Sequence, residues 1–188
     1  MKRETTALAA LFMWGLLGCA TRPPELYFAN GPGPHVFDCE APPAYYRGLH
    51  FHPPGEKLKL TGVMQIVSVG EHPDPEWPSG VSILFGTQSG TSPPFAGLLG
   101  RVHPDIPGKM LFALRWGPNR SQETHFFEVV VTDKPIPFEL TLDESYQLTA
   151  AVGGAVKSIF VPPFKVGRAS LYCSGAHVRY SNVVVSAQ

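Results

Sequence analysis

Apolar and polar residues alternate with a period of two along most of this chain. Phe138, Leu140 and Leu142 fall on one side of an extended segment, and Glu139, Thr141 and Asp143 on the other. That alternation predicts a half-buried β-strand. Tyr146, Leu148, Ala150 and Val152 share a face in the next segment. Gly153-Gly154 then fits a two-residue hairpin turn, where φ must be positive. Val156 and Ile159 continue on the return strand until Pro162-Pro163. Further strands are predicted over residues 48–52, 57–69, 81–85, 98–103, 109–116, 124–132, 169–173 and 176–186. In the first of these, Leu49 and Phe51 oppose His50 and His52, and Gly62 marks a candidate bulge in the second. No window carries a 3.6-residue apolar stripe with caps. About ten to twelve short strands at even spacing imply an all-β sandwich or barrel, and a two-sheet antiparallel β-sandwich is the expected fold.

The first residues follow a different pattern. Lys2 and Arg3 precede an apolar stretch from residue 7 to 17. It is shorter than the roughly 20 apolar residues a spanning helix needs, and it has the length of a signal-peptide core. Leu16-Leu17-Gly18-Cys19 follows. These four residues, placed behind such a core, resemble the lipobox of bacterial lipoproteins. The resemblance implies a signal peptide over 1–18, a diacylglyceryl group on the Cys19 sulfur and an acyl chain, such as palmitate, on the new N-terminus. Two or more chains hold a protein stably at a membrane. Ala20 follows the cysteine rather than an aspartate, and by the family's sorting pattern this favours the outer membrane. The alternative is an ordinary secretory signal ending near Ala20. Residues 19–34 are rich in Pro and Gly and read as a tether, with Leu26-Tyr27-Phe28 able to dock as an early strand. Residues 35–188 are then the β-sandwich domain.

Composition narrows the function. Fifteen basic residues balance fifteen acidic ones, and only 16% of residues are charged. No basic patch points to nucleic acid. The 20 prolines and 19 glycines lie between apolar runs, as turn punctuation does. After Cys19, two cysteines remain, Cys39 and Cys173. Export permits disulfides, and two thiols allow one pairing. A Cys39–Cys173 bridge would tie the first strand region to the last; two buried thiols are the alternative.

The second half is similar to the end of a concanavalin A-like jelly roll, the fold of legume lectins, laminin G modules and many glucanases. The resemblance lies in three stretches. Phe138-Glu139-Leu140-Thr141-Leu142 precedes Tyr146-Gln147-Leu148-Thr149-Ala150; the glycine hairpin follows; and Val178-Arg179-Tyr180-Ser181-Asn182-Val183-Val184-Val185 matches the family's closing strand. The resemblance implies a stacked pair of sheets whose concave face or loop rim can hold a glycan.

Glucanases of this fold set two carboxylates across a cleft, about 5–5.5 Å apart in retaining enzymes. The nearest candidate here, Glu71-His72-Pro73-Asp74-Pro75-Glu76-Trp77, is broken by prolines and reads as a polar loop. No catalytic residue is assigned. Trp77 at a loop tip and Trp116 near a strand end are candidates to stack on a sugar ring, against the alternative of partly buried rim tryptophans. His50, His52, Arg115 and Glu128 fall on the polar sides of their predicted strands and are candidates to line a groove. Two imidazoles do not make a zinc site, which takes three or four ligands, so no metal is expected. The Gly-Thr-Gln-Ser-Gly run at 86–90 precedes no helix and predicts no phosphate cradle. No nucleophile motif, calcium loop or cofactor motif is present.

The reading that follows is a lipid-anchored, non-catalytic envelope module that binds glycan or an envelope polymer such as peptidoglycan. A structural or protein-interaction lipoprotein of an envelope complex is the second reading, and a glycoside hydrolase the third.

Overall fold

The computed structural model describes residues 25–29, 31, 33–43, 45–53, 55, 57–70, 79–87, 94–103, 106, 109–117, 125–130 and 134–188. For Glu25 and residues 125–130 it describes the backbone alone. The expected signal peptide, Cys19, and Trp77 with Glu71, Asp74 and Glu76 lie outside the described residues.

Thirteen strands account for the regular structure of the described residues: β1 (Glu25–Phe28), β2 (His35–Glu40), β3 (Tyr46–Phe51), β4 (Leu58–Val69), β5 (Gly80–Gly86), β6 (Phe95–Val102), β7 (Lys109–Gly117), β8 (His125–Val130), β9 (Ile136–Leu142), β10 (Gln147–Val152), β11 (Ala155–Phe160), β12 (Arg168–Ser174) and β13 (Ala176–Ala187). They form a seven-stranded sheet, β1-β3-β12-β5-β6-β7-β8, and a six-stranded sheet, β11-β10-β9-β4-β13-β2. Pairings are antiparallel except that of β1 with β3, which is parallel. Inward residues of both sheets build one core. Leu58, Leu60, Leu140 and Leu142 come from the smaller sheet, and Ile83, Phe85, Leu98 and Phe112 from the larger.

The early strand expected at Leu26-Tyr27-Phe28 forms within the segment read as a tether: Glu25–Phe28 is the outermost strand of the seven-stranded sheet, and the Ala29 N–H extends its pairing by donating to the His50 carbonyl at 2.8 Å. Other local details differ from expectation. β6 begins at Phe95, directly after Pro94. Val156 and Ile159 continue on the return strand β11, as expected, and face opposite ways. Val156 pairs with Ala151 and is exposed, whereas Ile159 pairs with Leu148 and is buried. Three residues apart on a strand means opposite faces. The irregularity anticipated at Gly62 lies on the partner strand. Between Ser181 and Val184 the register of β13 slips against β4, and Asn182 there has φ 52°. Asparagine tolerates that left-handed conformation better than most side chains. Gly62 opposite leaves room for the Phe138 ring and the Val183 methyl.

Two devices hold the sheets together. Gly175, with φ 54°, lies between β12 and β13 where the chain passes from one sheet to the other. Two residues earlier, Cys173 of β12 is bonded to Cys39 of β2, with Cα atoms 6.0 Å apart and both residues fully buried. The cystine therefore joins the two sheets. Beside it Tyr180 of β13 stands between Phe37 and Phe138, and its hydroxyl donates across the sandwich to the Tyr172 carbonyl at 2.9 Å.

The β10–β11 hairpin turns through Gly153 (φ 57°) and Gly154 (φ 90°). Nothing lies within 4 Å of a methyl group added at Gly154, so its substitution reports backbone conformation alone. Gly154→Ala is expected to cost about 1–2 kcal/mol. Gly154→Asn should recover part of that loss, and urea unfolding of the two variants makes the comparison.

Candidate functional site

The outer face of the seven-stranded sheet gathers most of the described polar candidates. Strand alternation sends Leu49 and Phe51 into the core and His50 and His52 outward. On β12 the same alternation buries Ala169, Leu171 and Cys173 and turns Arg168, Ser170 and Tyr172 outward. Register then aligns His50, Ser170, Leu84, Gly97 and Arg115 in one row across β3, β12, β5, β6 and β7. Four inter-strand steps of about 4.8 Å separate His50 from Arg115 by roughly 19 Å. A neighbouring row runs Gly48, Tyr172, Ser82, Leu99 and Ala113. The first row has His50 and Arg115 at its ends, and the middle of the face mixes Ser170, Ser82 and Gly97 with Leu84 and Leu99. Gly48 matters at one end, because a Cβ there would collide with the Tyr172 ring that lies over it.

His50 is the most constrained group on this face. It is only 1% exposed although it points away from the core. Phe28 of β1 covers it, with ring centroids 5.3 Å apart, and Tyr172 meets it edge-on at 5.5 Å. Its Nδ1 is hydrogen-bonded to the Ser170 hydroxyl at 2.7 Å. Its Nε2 has no partner, an uncommon state for a buried polar atom. Burial raises the Tyr172 phenol above its ordinary pKa, against the opposing charge of Arg168. Beside these groups is a depression of about 120 Å³ bordered by Arg168, Tyr172, Phe95 and Leu84. That is smaller than the roughly 300–1,000 Å³ of drug-sized pockets. It suits one unit of a longer ligand.

Burial, then the charges of Arg168 and His52, lower the His50 pKa from 6.5 to about 4. The unfolded chain takes up this proton near pH 6.5, and the folded chain only near pH 4. Stability associated with His50 is therefore complete above pH 6.5 and is lost as pH falls toward 4. The whole shift corresponds to about 3 kcal/mol. His50→Gln is expected to flatten that part of the pH dependence, read by urea unfolding between pH 4 and 7. An unchanged slope would mean that other groups govern acid stability.

The remaining candidates divide. His52 shares the outer face and stacks on Phe28 at 6.0 Å. Arg115 lies in the His50 row. Glu128 is on β8, and its backbone pairs with Leu111 of β7. Trp116 goes the other way. As the neighbour of Arg115 on a strand it takes the opposite side, and its indole packs against the core. The sequence does not single out Arg168, Ser170 and Tyr172. Their alternation with Ala169, Leu171 and Cys173 is the signal that places them outward. Among the described residues, no group of three or more His, Cys, Asp or Glu side chains could hold a metal ion.

No family model matches the sequence, and no curated protein matches it. Solved structures do. An alginate lyase from Pseudomonas aeruginosa aligns with a TM-score of 0.52 and 16% identity, over 71% of this chain and 65% of that one. A carbohydrate-binding module from Bacillus subtilis aligns with a TM-score of 0.50 and 12% identity, over 71% of this chain and 76% of the module. The fold is a concanavalin A-like jelly roll. At such identities the likeness concerns fold alone. It spans an enzyme and a binding module, so the jelly roll by itself does not choose between catalysis and binding. This chain spans about two thirds of the lyase's length.

Proposed function

We propose that this chain is a lipid-anchored envelope protein whose jelly roll binds glycan, without catalysis, through the outer face of the seven-stranded sheet. The observation that carries the reading is the ordered cluster of His50, Ser170, Tyr172 and Arg168 beside a shallow depression. Polar groups of fixed orientation next to an aromatic ring suit a sugar, which offers hydroxyls on its rim and an apolar C–H face. Carbohydrate binding by a protein of the same fold supports the reading.

The lipobox resemblance supports acylation at Cys19 and placement at the outer membrane. Five residues separate Cys19 from Glu25, so the start of β1 would lie within about 20 Å of the acylated residue. Mass spectrometry of the mature N-terminus reads the acylation directly.

A glycan array and a peptidoglycan pull-down with a soluble 21–188 chain test the binding reading. Specific retention on one polymer class is expected; no binding above background in either assay overturns it. Release of new sugar ends from a bound polymer would overturn the non-catalytic part.

One observation favours a protein partner instead. β1 is a sheet edge, and Leu26, Tyr27, Phe28 and nearby Tyr46 are exposed there. An open edge with apolar side chains can receive another strand. Crosslinking in intact envelope, from β1, distinguishes this reading by trapping a discrete protein.

A further inference from the structure

Exposed apolar side chains gather at both ends of the sandwich. At one end are Leu26, Tyr27 and Phe28 of β1, Tyr46 at the start of β3 and Val36 of β2; at the other are Val156 and Phe160 of β11. β1 and β2 are the edge strands of the two sheets at the first end, joined by the contact of Tyr27 with Phe37. β11 lies five inter-strand steps of about 4.8 Å from β2. The chain leading into β1 separates the two ends in kind. Five residues lie between Cys19 and Glu25, so acylation at Cys19 keeps the start of β1 within about 20 Å of the bilayer surface. A tether this short makes docking of β1 an intramolecular step at high effective concentration, and a contact too weak to hold a free protein is then sufficient.

The chemistry of this edge suits the headgroup layer and not the hydrocarbon. Among the described residues only β3 pairs with β1, and unpaired backbone N–H and C=O groups are excluded from the lipid interior. Tyrosine, with an apolar ring and a hydroxyl, concentrates at the membrane–water interface. By strand alternation Leu26, Phe28 and Tyr46 share the outer side of the seven-stranded sheet, where Phe28 lies on His50 and His52 and Tyr46 meets Tyr172. The outer side of β2 sets Val36 beside exposed Asp38 and Glu40 instead. The seven-stranded side of the edge is therefore the one that can lean toward lipid.

From this juxtaposition we infer that the β1 edge, with Leu26, Tyr27, Phe28 and Tyr46, is a membrane-docking surface that rests in the lipid headgroup layer. The inference rests on the acylation of Cys19 and adds an orientation of the domain. The strands of the seven-stranded sheet then run along the bilayer surface. β12, two steps from β1, carries Arg168 and Tyr172 about 10 Å from the docked edge. The depression beside them opens sideways, close to the membrane.

The test uses the mature acylated chain in phosphatidylcholine vesicles. A thiol-reactive fluorophore is placed on Leu26→Cys, on Tyr46→Cys or, at the opposite end, on Val156→Cys. The native cystine is buried and does not compete for the label. Nitroxide-bearing phosphatidylcholine should quench positions 26 and 46 by about half or more and leave position 156 bright. The quenching should persist in about 1 M salt, where charges are screened within about 3 Å. Leu26→Asp should reduce quenching at position 46 about threefold, because a charge enters the apolar contact. Unchanged melting of each variant excludes unfolding. Equal quenching at all three positions, or quenching abolished by salt, overturns the docking assignment. No quenching at any position, in a chain whose mass shows the acyl groups, overturns it and leaves the anchor standing. A mature chain without acyl groups removes both readings. Positions 26 and 46 shielded in intact envelope but unquenched in vesicles of lipid alone assign the edge to a protein partner and overturn the membrane assignment.

Discussion

Tyr180→Ala should destabilise the domain by about 3–5 kcal/mol, a large fraction of the roughly 5–15 kcal/mol that holds a typical domain folded. The side chain is fully buried at the centre of the sandwich. Its ring stacks on Phe37 at 6.2 Å and meets Phe138 edge-on at the same distance. Removing it leaves a cavity bounded by two sheets that a cystine and long strand pairings prevent from collapsing. The phenol is held far above its usual pKa by burial, so it remains a neutral donor at any ordinary pH. Tyr180→Phe isolates that donor. It leaves the ring in place and removes one hydrogen bond to the Tyr172 carbonyl, at about 1 kcal/mol. Urea unfolding of the two variants gives the ring and the hydroxyl separately. If the alanine variant lost no more than the phenylalanine variant, Tyr180 would not be a packing element of the core.

The second large effect concerns the cystine. Cys39 and Cys173 lie 134 residues apart in sequence and join the edge of one sheet to the interior of the other. In the unfolded chain the same bond closes a long loop and reduces conformational freedom. Removing such a bond typically costs about 2–5 kcal/mol. The Cys39→Ala/Cys173→Ala double variant is the appropriate comparison, since a single replacement leaves a reactive buried thiol. Its denaturation midpoint should fall well below that of the oxidised protein. Because both residues are fully buried, a thiol reductant should open the bond slowly without denaturant and quickly with it. Rapid reduction of the native protein would show that β2 detaches readily from the sandwich.

The hairpin at Gly153-Gly154, the outward turn of His50 and His52 and the Cys39–Cys173 pairing are all legible in the sequence. Each depends on a local or counting property: positive φ at a two-residue turn, strand alternation, and the single pairing available to two thiols. Arg115 and Trp116 show both the strength and the limit of such reading. Adjacent strand residues take opposite faces, so they could never line the same groove, and alternation assigns Arg115 outward and Trp116 inward. The burial of His50 is different. Alternation turns it outward and suggests exposure, whereas Phe28, which precedes it in sequence by more than twenty residues, closes over it.

The amino-acid sequence by itself determined an all-β chain, the side each strand presents to the core and the hairpin. These follow from a pleat of period two and from short-range turn chemistry, which neighbouring residues impose. Only the tertiary structure decided that β12 inserts between β3 and β5, bringing Ser170 to His50 across 120 residues, and that Arg168 and Tyr172 border the candidate site. Strand order is a contest among many similar edges. It is resolved when two sheets bury their apolar sides together, and no local pattern records the outcome.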